Sequence, residues 1–167
     1  MMLDAAGWDA LRLSLLVGVT ATLIGVPLAT WAAWVLARRE FYGKGAFNAL
    51  VHLPLVLPPV VTGYLLLILF GRAGPLGRFL EDTFGLVLAF RWTGAALAAL
   101  IMALPLMVRA IRLAIEAVDP GLEDAARTLG ASGFGDFRTE PLPLILPGIL
   151  AGGVMGYAKA IGEFGAT

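Results

Sequence analysis

The sequence predicts an all-α, polytopic helical membrane protein, and three observations carry that prediction. Hydrophobic residues make up 59% of the chain against 14% charged, with a mean hydropathy of +0.88, whereas soluble domains carry roughly 45–50% apolar and about 25% charged residues. Apolar runs near the ~20 residues that cross a bilayer recur along the chain. Charges collect between those runs rather than alternating with apolar residues inside them. Twelve basic and twelve acidic residues cancel, which argues against a nucleic-acid surface or a polybasic lipid anchor. The chain has no cysteine, so disulfides and thiolate metal sites are excluded.

The N-terminus, "MMLDAAGWDALRLSLL", carries acids ahead of its apolar run and lacks the basic n-region of a cleaved signal peptide. The first span is therefore expected to be permanent. It runs from Leu13 to Leu36 and ends where Arg38 and Arg39 meet water. A second run, Ala49 to Phe70, crowds Pro54, Pro58 and Pro59 into its first half. Each proline removes a donor and crowds the preceding turn, so no regular helix is expected to pass undisturbed. The third run, Gly94 to Val108, covers only about 22 Å at 1.5 Å per residue. It must borrow length from its flanks, with Phe90 and Trp92 as interfacial aromatics at one end and Arg109 and Arg112 snorkelling at the other. The fourth run, Leu142 to Thr167, is long enough but contains Lys159 and Glu163. Four spans are expected in all.

Loop charge sets the expected orientation. Arg38, Arg39 and Lys44 follow the first run, and Arg109, Arg112, Arg127 and Arg138 surround the third connection, so both read as cytoplasmic and the N-terminus as outside. The loop from Gly71 to Trp92 is then external, although it carries Arg72, Arg78 and Arg91 against Glu81 and Asp82. Within it, Leu86 to Phe90 is too short to span and is expected on the protein or the interface.

The third connection, "DPGLEDAARTLGASGFGDFRTEPLPLILPG", interrupts the apolar pattern. Asp119 followed by Pro120 is a helix start, an acceptor at the N-cap and a proline where its missing N–H is harmless. Glu123 and Asp124 lie near the positive end of the helix dipole, and Gly130 can close the helix in a left-handed conformation. The result is a helix of about ten residues, roughly 15 Å long, on which Ala125 and Ala126 allow close approach of another surface. A solvated loop with an incidental helix is the bland alternative. A capped helix held at both ends by membrane spans is instead a rigid handle for a cytoplasmic partner.

Other constellations carry two readings each. Pro58, Pro59, Thr62 and Gly63 can open a helix so that backbone groups and a hydroxyl face a polar path, or form an ordinary buried kink. Lys159 and Glu163, four residues apart, share a helix face and can pair. They either serve a pathway or satisfy each other near the outer mouth. Gly152 and Gly156 form a small-xxx-small pair suited to packing within the chain or across a dimer. His52 is the only histidine and reads as interfacial, since a metal site needs more ligands. No catalytic His-acid-Ser set, HExxH or phosphate loop is present, so the chain is not expected to be an enzyme.

An acid followed by Ala-Ala, then three residues, Gly, nine residues and x-x-Leu-Pro resembles the EAA loop of importer permeases of the ATP-binding-cassette class. Here it is Asp124-Ala125-Ala126, Gly130 and Leu142-Pro143. The acid is Asp124 rather than glutamate, with Glu123 beside it, and Glu140-Pro141 stands where the family usually has an apolar residue followed by a non-proline. "LPLVLPPVVTGYLLLILFGRAGPLG", "FRWTGAALAALIMALPLMVRAIRLAIEAVDP" and "YAKAIGEFGAT" are similar to the molybdate branch, with sulfate and thiosulfate permeases as near neighbours.

The resemblance implies a type I importer fold in one permease domain, residues 1–167, with a coupling loop at 119–143. Glu123, Asp124, Ala125, Ala126, Gly130 and Pro143 would couple to the ATPase. Pro58, Pro59, Thr62, Gly162 and Glu163 would belong to the path or gate. ATP and magnesium would sit on separate cytoplasmic ATPase subunits, an extracytoplasmic protein would deliver molybdate or tungstate, and a second copy would complete a homodimer in the inner, cytoplasmic membrane. Permeases of this branch continue past Thr167 by at least one further span, so truncation is expected. A non-transporting membrane scaffold and an ion-gradient transporter are the other classes the sequence admits; few intramembrane acids argue against the latter.

Overall fold

The computed structural model describes residues 5–85, 87–88, 90–118 and 141–164. Among them are six helices and no strand: α1 (Ala5–Arg38), α2 (Lys44–Val56), α3 (Pro59–Phe70), α4 (Pro75–Phe84), α5 (Trp92–Glu116) and α6 (Pro141–Phe164). Three contain stretches long and apolar enough to cross a membrane, at Gly7–Arg38, Trp92–Glu116 and Leu144–Gly162. The third run does borrow from its flanks. With 25 residues, α5 reaches about 37 Å, beyond the roughly 30 Å hydrocarbon core.

The second run is not one straight span. α2 and α3 are bent by 116° at the break between them, so a fourth crossing exists only if the bent pair counts as one. Pro54 is tolerated inside α2, and the break falls where Leu57 turns extended and Pro58 and Pro59 cap and start α3. Two adjacent prolines remove consecutive donors and force the preceding residue out of the helical region.

The core is a three-helix unit of α1, α5 and α6. At one end Leu36, Val51, Met107, Val108, Ile111, Ile115 and Ile145 are buried together; at the other, Val17, Ala21, Ala96, Ala99, Leu100 and Ala160 are. These pairings make α1 and α5 parallel and α6 antiparallel to both. Val118 and Pro141, where the third connection leaves and returns, therefore lie at the end that carries Arg38. α2 adds to that end through Val51 and Phe47.

α3 has a different surface. Its only buried residue is Thr62, while Val60, Tyr64, Leu67 and Ile68 are exposed. An apolar helix exposed around most of its girth needs lipid or another helix as its solvent. α4 was not anticipated from sequence. Gly74 and Pro75 start it and Gly85, at φ 65, ends it, the proline-in, glycine-out punctuation of a capped helix.

Candidate functional site

The packing of α6 on α5 is set by glycine. Gly148, Gly152 and Gly156 recur every fourth residue and face Ala114, Ile111 and Met107 in turn. A β-carbon at 152 would come within 2.9 Å of the Ile111 side chain, and one at 156 would overlap Met107. Missing side chains let the backbones approach, and dispersion across that contact replaces the hydrophobic drive that lipid does not supply. The small-xxx-small pair thus packs within the chain, extended by Gly148, which sequence reasoning missed. Pro147 inside α6 and Pro105 inside α5 are tolerated because neighbouring helices hold the segment.

Polar contacts gather at the end where the third connection is rooted. Arg38 Nη2 donates to the Ile115 carbonyl at 3.1 Å and to the Val118 carbonyl at 3.3 Å. Those carbonyls are left over at the C-terminus of α5, and a cation suits both their lone pairs and the helix dipole. Arg112 pairs with Glu116 at 2.7 Å and reaches Asn48 Oδ1 on α2 at 3.4 Å. Lys44 pairs with Glu40 at 2.6 Å, and Arg39 sits over the Trp34 ring at 5.1 Å. Arg112 therefore holds its ion pair at the helix end rather than only snorkelling.

Glu123, Asp124, Ala125, Ala126 and Gly130, expected from the sequence to couple to the ATPase, lie outside the described residues. Pro143 occupies the first turn of α6, which begins at Pro141. A proline in the first turn loses no hydrogen bond, so Pro141 and Pro143 are both compatible with the helix start. Pro58, Pro59 and Thr62 sit together at the α2/α3 bend, where Thr62 Oγ1 donates to the Pro58 carbonyl at 3.4 Å. Gly162 is far along α6, with open space around its α-carbon, and Glu163 is in the last turn of the same helix. α6 packs on α5 and α1 while α3 packs on α4, so the two halves of the expected path lie on different packing units.

Gly63 lines a cavity of about 260 Å³ between the C-terminal half of α3 and the start of α5, with Phe70, Leu88 and Gly94. Its walls are largely apolar, with Arg91 among them at the start of α5. His52 Nδ1 lies 2.9 Å from the Asn48 carbonyl, one turn back on α2. Among the described residues no group of His, Cys, Asp or Glu is placed to hold a metal.

A three-helix membrane unit, a proline-broken hairpin beside it and a long polar connection rooted on a cationic end define a polytopic permease-like membrane protein. Residues 25–167 match the model of the family described as binding-protein-dependent transport system inner membrane component. The chain is 55% identical over 159 residues to the molybdenum transport system permease protein ModB of Haemophilus influenzae, covering 95% of this chain and 69% of that one. To the protein of the same name from Escherichia coli K12 it is 54% identical over 167 residues, covering 100% and 73%. A sulfate transport system permease protein, CysW of Synechococcus elongatus, is 37% identical over 159 residues, covering 95% and 55%. The chain belongs to the family of binding-protein-dependent transport system inner membrane components. Its all-α architecture, with three helices long and apolar enough to cross a membrane, is that of a multi-pass membrane component.

Proposed function

We propose that this chain is the membrane subunit of an ATP-driven importer for molybdate or tungstate. The observation that carries the reading is the similarity, at 54% and 55% identity, to two molybdenum transport permeases along nearly the whole chain. The sulfate permease is less similar, at 37%. Two copies form the pathway, an extracytoplasmic protein delivers the anion, and separate cytoplasmic ATPase subunits hold ATP and magnesium. The cationic end with Arg38 faces the cytoplasm, the side that the short basic loop favours, and the N-terminus lies outside.

The physical logic is one of linked preferences. ATPase closure engages the 119–143 segment, and its force enters the membrane through Val118 on α5 and Pro141 on α6. Because glycine contacts lock α5 to α6, and α1 packs on both, the push moves three helices as one body. The α2/α3 bend then serves as the seam against which that body rocks. ATP-loaded ATPase and loaded delivery protein must each favour one state for transport to follow. The path binds the dianion weakly, since an anion held by dense fixed cations would not leave.

The test is uptake of radiolabelled molybdate into proteoliposomes carrying the whole protein, its ATPase and its delivery protein. ATP-dependent uptake that molybdate and tungstate compete for, and excess sulfate does not, is expected. Preferential competition by sulfate replaces the molybdate reading with the sulfate one, and uptake without ATP overturns the coupled mechanism.

A further inference from the structure

The helix that sequence reasoning missed carries an unspent apolar face. On α4, Leu76, Phe79, Leu80, Thr83 and Phe84 follow the i, i+3, i+4, i+7, i+8 pattern of one face, and Arg78, Glu81 and Asp82 lie opposite. Gly77, between the two, makes the contact with α3 by meeting the Phe70 and Gly71 carbonyls. Leu80 is half-buried, but the rest of the apolar face stays open, with Leu76 exposed, Phe79 59% exposed and Phe84 65%.

Its surroundings identify the solvent. The cavity shared by Phe70, Gly71, Leu88 and Gly94 joins the end of α3 to the start of α5, which puts α4 at the end of the molecule opposite Arg38. Exposed aromatics mark the same end: Trp8 at the start of α1, Trp92 at the start of α5, and Phe90, 94% exposed on a backbone held at φ 57. A left-handed backbone is costly for such a bulky residue. Trp31, Phe41 and Tyr42 are the exposed aromatics near the Arg38 end. Trp8 and Trp31 are separated by about 34 Å of helix at 1.5 Å per residue, close to the thickness of a hydrocarbon core flanked by its aromatic belts. The exposed apolar side of α3, at Tyr64, Leu67 and Ile68, runs up to the turn that begins α4, so lipid-facing surface continues to the α3/α4 turn.

We infer that α4 lies in the headgroup layer of the leaflet opposite the Arg38 end, its Phe79 face among acyl chains and its Arg78, Glu81 and Asp82 face in water. Ten residues are too few to cross, and mixed charge gives no preference for anionic lipid. Burial of apolar area holds the helix there. In that position α4 fixes the end of α3 at a set depth.

The chain lacks cysteine, so single spin labels can be placed without background. Phe79→Cys, Leu76→Cys, Arg78→Cys and Asp82→Cys are introduced into the whole chain and reconstituted in phosphatidylethanolamine and phosphatidylglycerol vesicles. Collision rates with oxygen and with a water-soluble nickel complex are then measured. The oxygen-to-nickel ratio is expected to be several-fold higher at 76 and 79 than at 78 and 82, and to persist in vesicles of zwitterionic lipid alone. Equal ratios at all four positions place the helix in water and overturn the inference. Labels at 76 and 79 shielded from both reagents show that protein covers the face, a second copy or a delivery protein, and overturn it equally. Uptake failure in the transport assay leaves these ratios unaffected, so the two readings fail separately.

Discussion

Arg38, the last residue of α1, donates its guanidinium to the carbonyls of Ile115 and Val118 at the end of α5, at 3.1 and 3.3 Å. A side chain from one span thus closes the C-terminus of another at the root of the segment proposed to meet the ATPase. Hydrogen bonds from a charged donor are worth about 1.5–3 kcal/mol when well shielded, and this one is half-buried. Arg38→Ala is predicted to lower stability by about 1 kcal/mol and to loosen coupling more than folding. ATP hydrolysis that persists without anion uptake checks this; wild-type coupling in a folded Arg38→Ala complex contradicts it.

Met107 leaves no room for a side chain at Gly156. Gly156→Leu is predicted to destabilise by about 1–3 kcal/mol through overpacking. Gly63, where a β-carbon would meet no atom within 4 Å, supplies the control, since Gly63→Ala gains up to about 1 kcal/mol of helix propensity. Thermal unfolding in detergent separates the two: a lowered midpoint for the first and an unchanged or raised one for the second.

The α2/α3 bend depends on two adjacent prolines. Replacing both, Pro58→Ala with Pro59→Ala, restores two backbone donors and frees Leu57 to be helical. Spin labels at Ala49→Cys and Leu69→Cys are predicted to move apart in that variant, as the 116° bend opens. An unchanged distance distribution means that packing, not proline, holds the bend.

Much of this was legible from residue pattern because a bilayer constrains so strongly. Runs without charge could only be spans, and Pro58-Pro59 could only interrupt one. Gly152 and Gly156 announced close packing through their spacing, although which helix they faced depended on α5 and α6 being antiparallel, a tertiary fact. α4 escaped because its apolar residues sit among Arg78, Glu81 and Asp82 and raise no hydropathy signal. Its helical period and its Gly74-Pro75 start and Gly85 stop were the available clues. Arg38 read as a residue marking the edge of water, since the carbonyls it serves lie 77 residues and more away in the chain. The proposed path residues Pro58, Pro59, Thr62, Gly162 and Glu163 cannot be grouped by local pattern, because they belong to separate packing units.

The central claim is that the polar segment after α5 passes the work of a separate ATPase into the spans. The most direct measurement is co-purification of the whole protein with its ATPase, with anion-stimulated hydrolysis, for the native chain and for Gly130→Pro. The account predicts that the substitution abolishes ATPase association or its stimulation by delivered anion while leaving the membrane helices folded. Retention of both association and stimulated hydrolysis contradicts it.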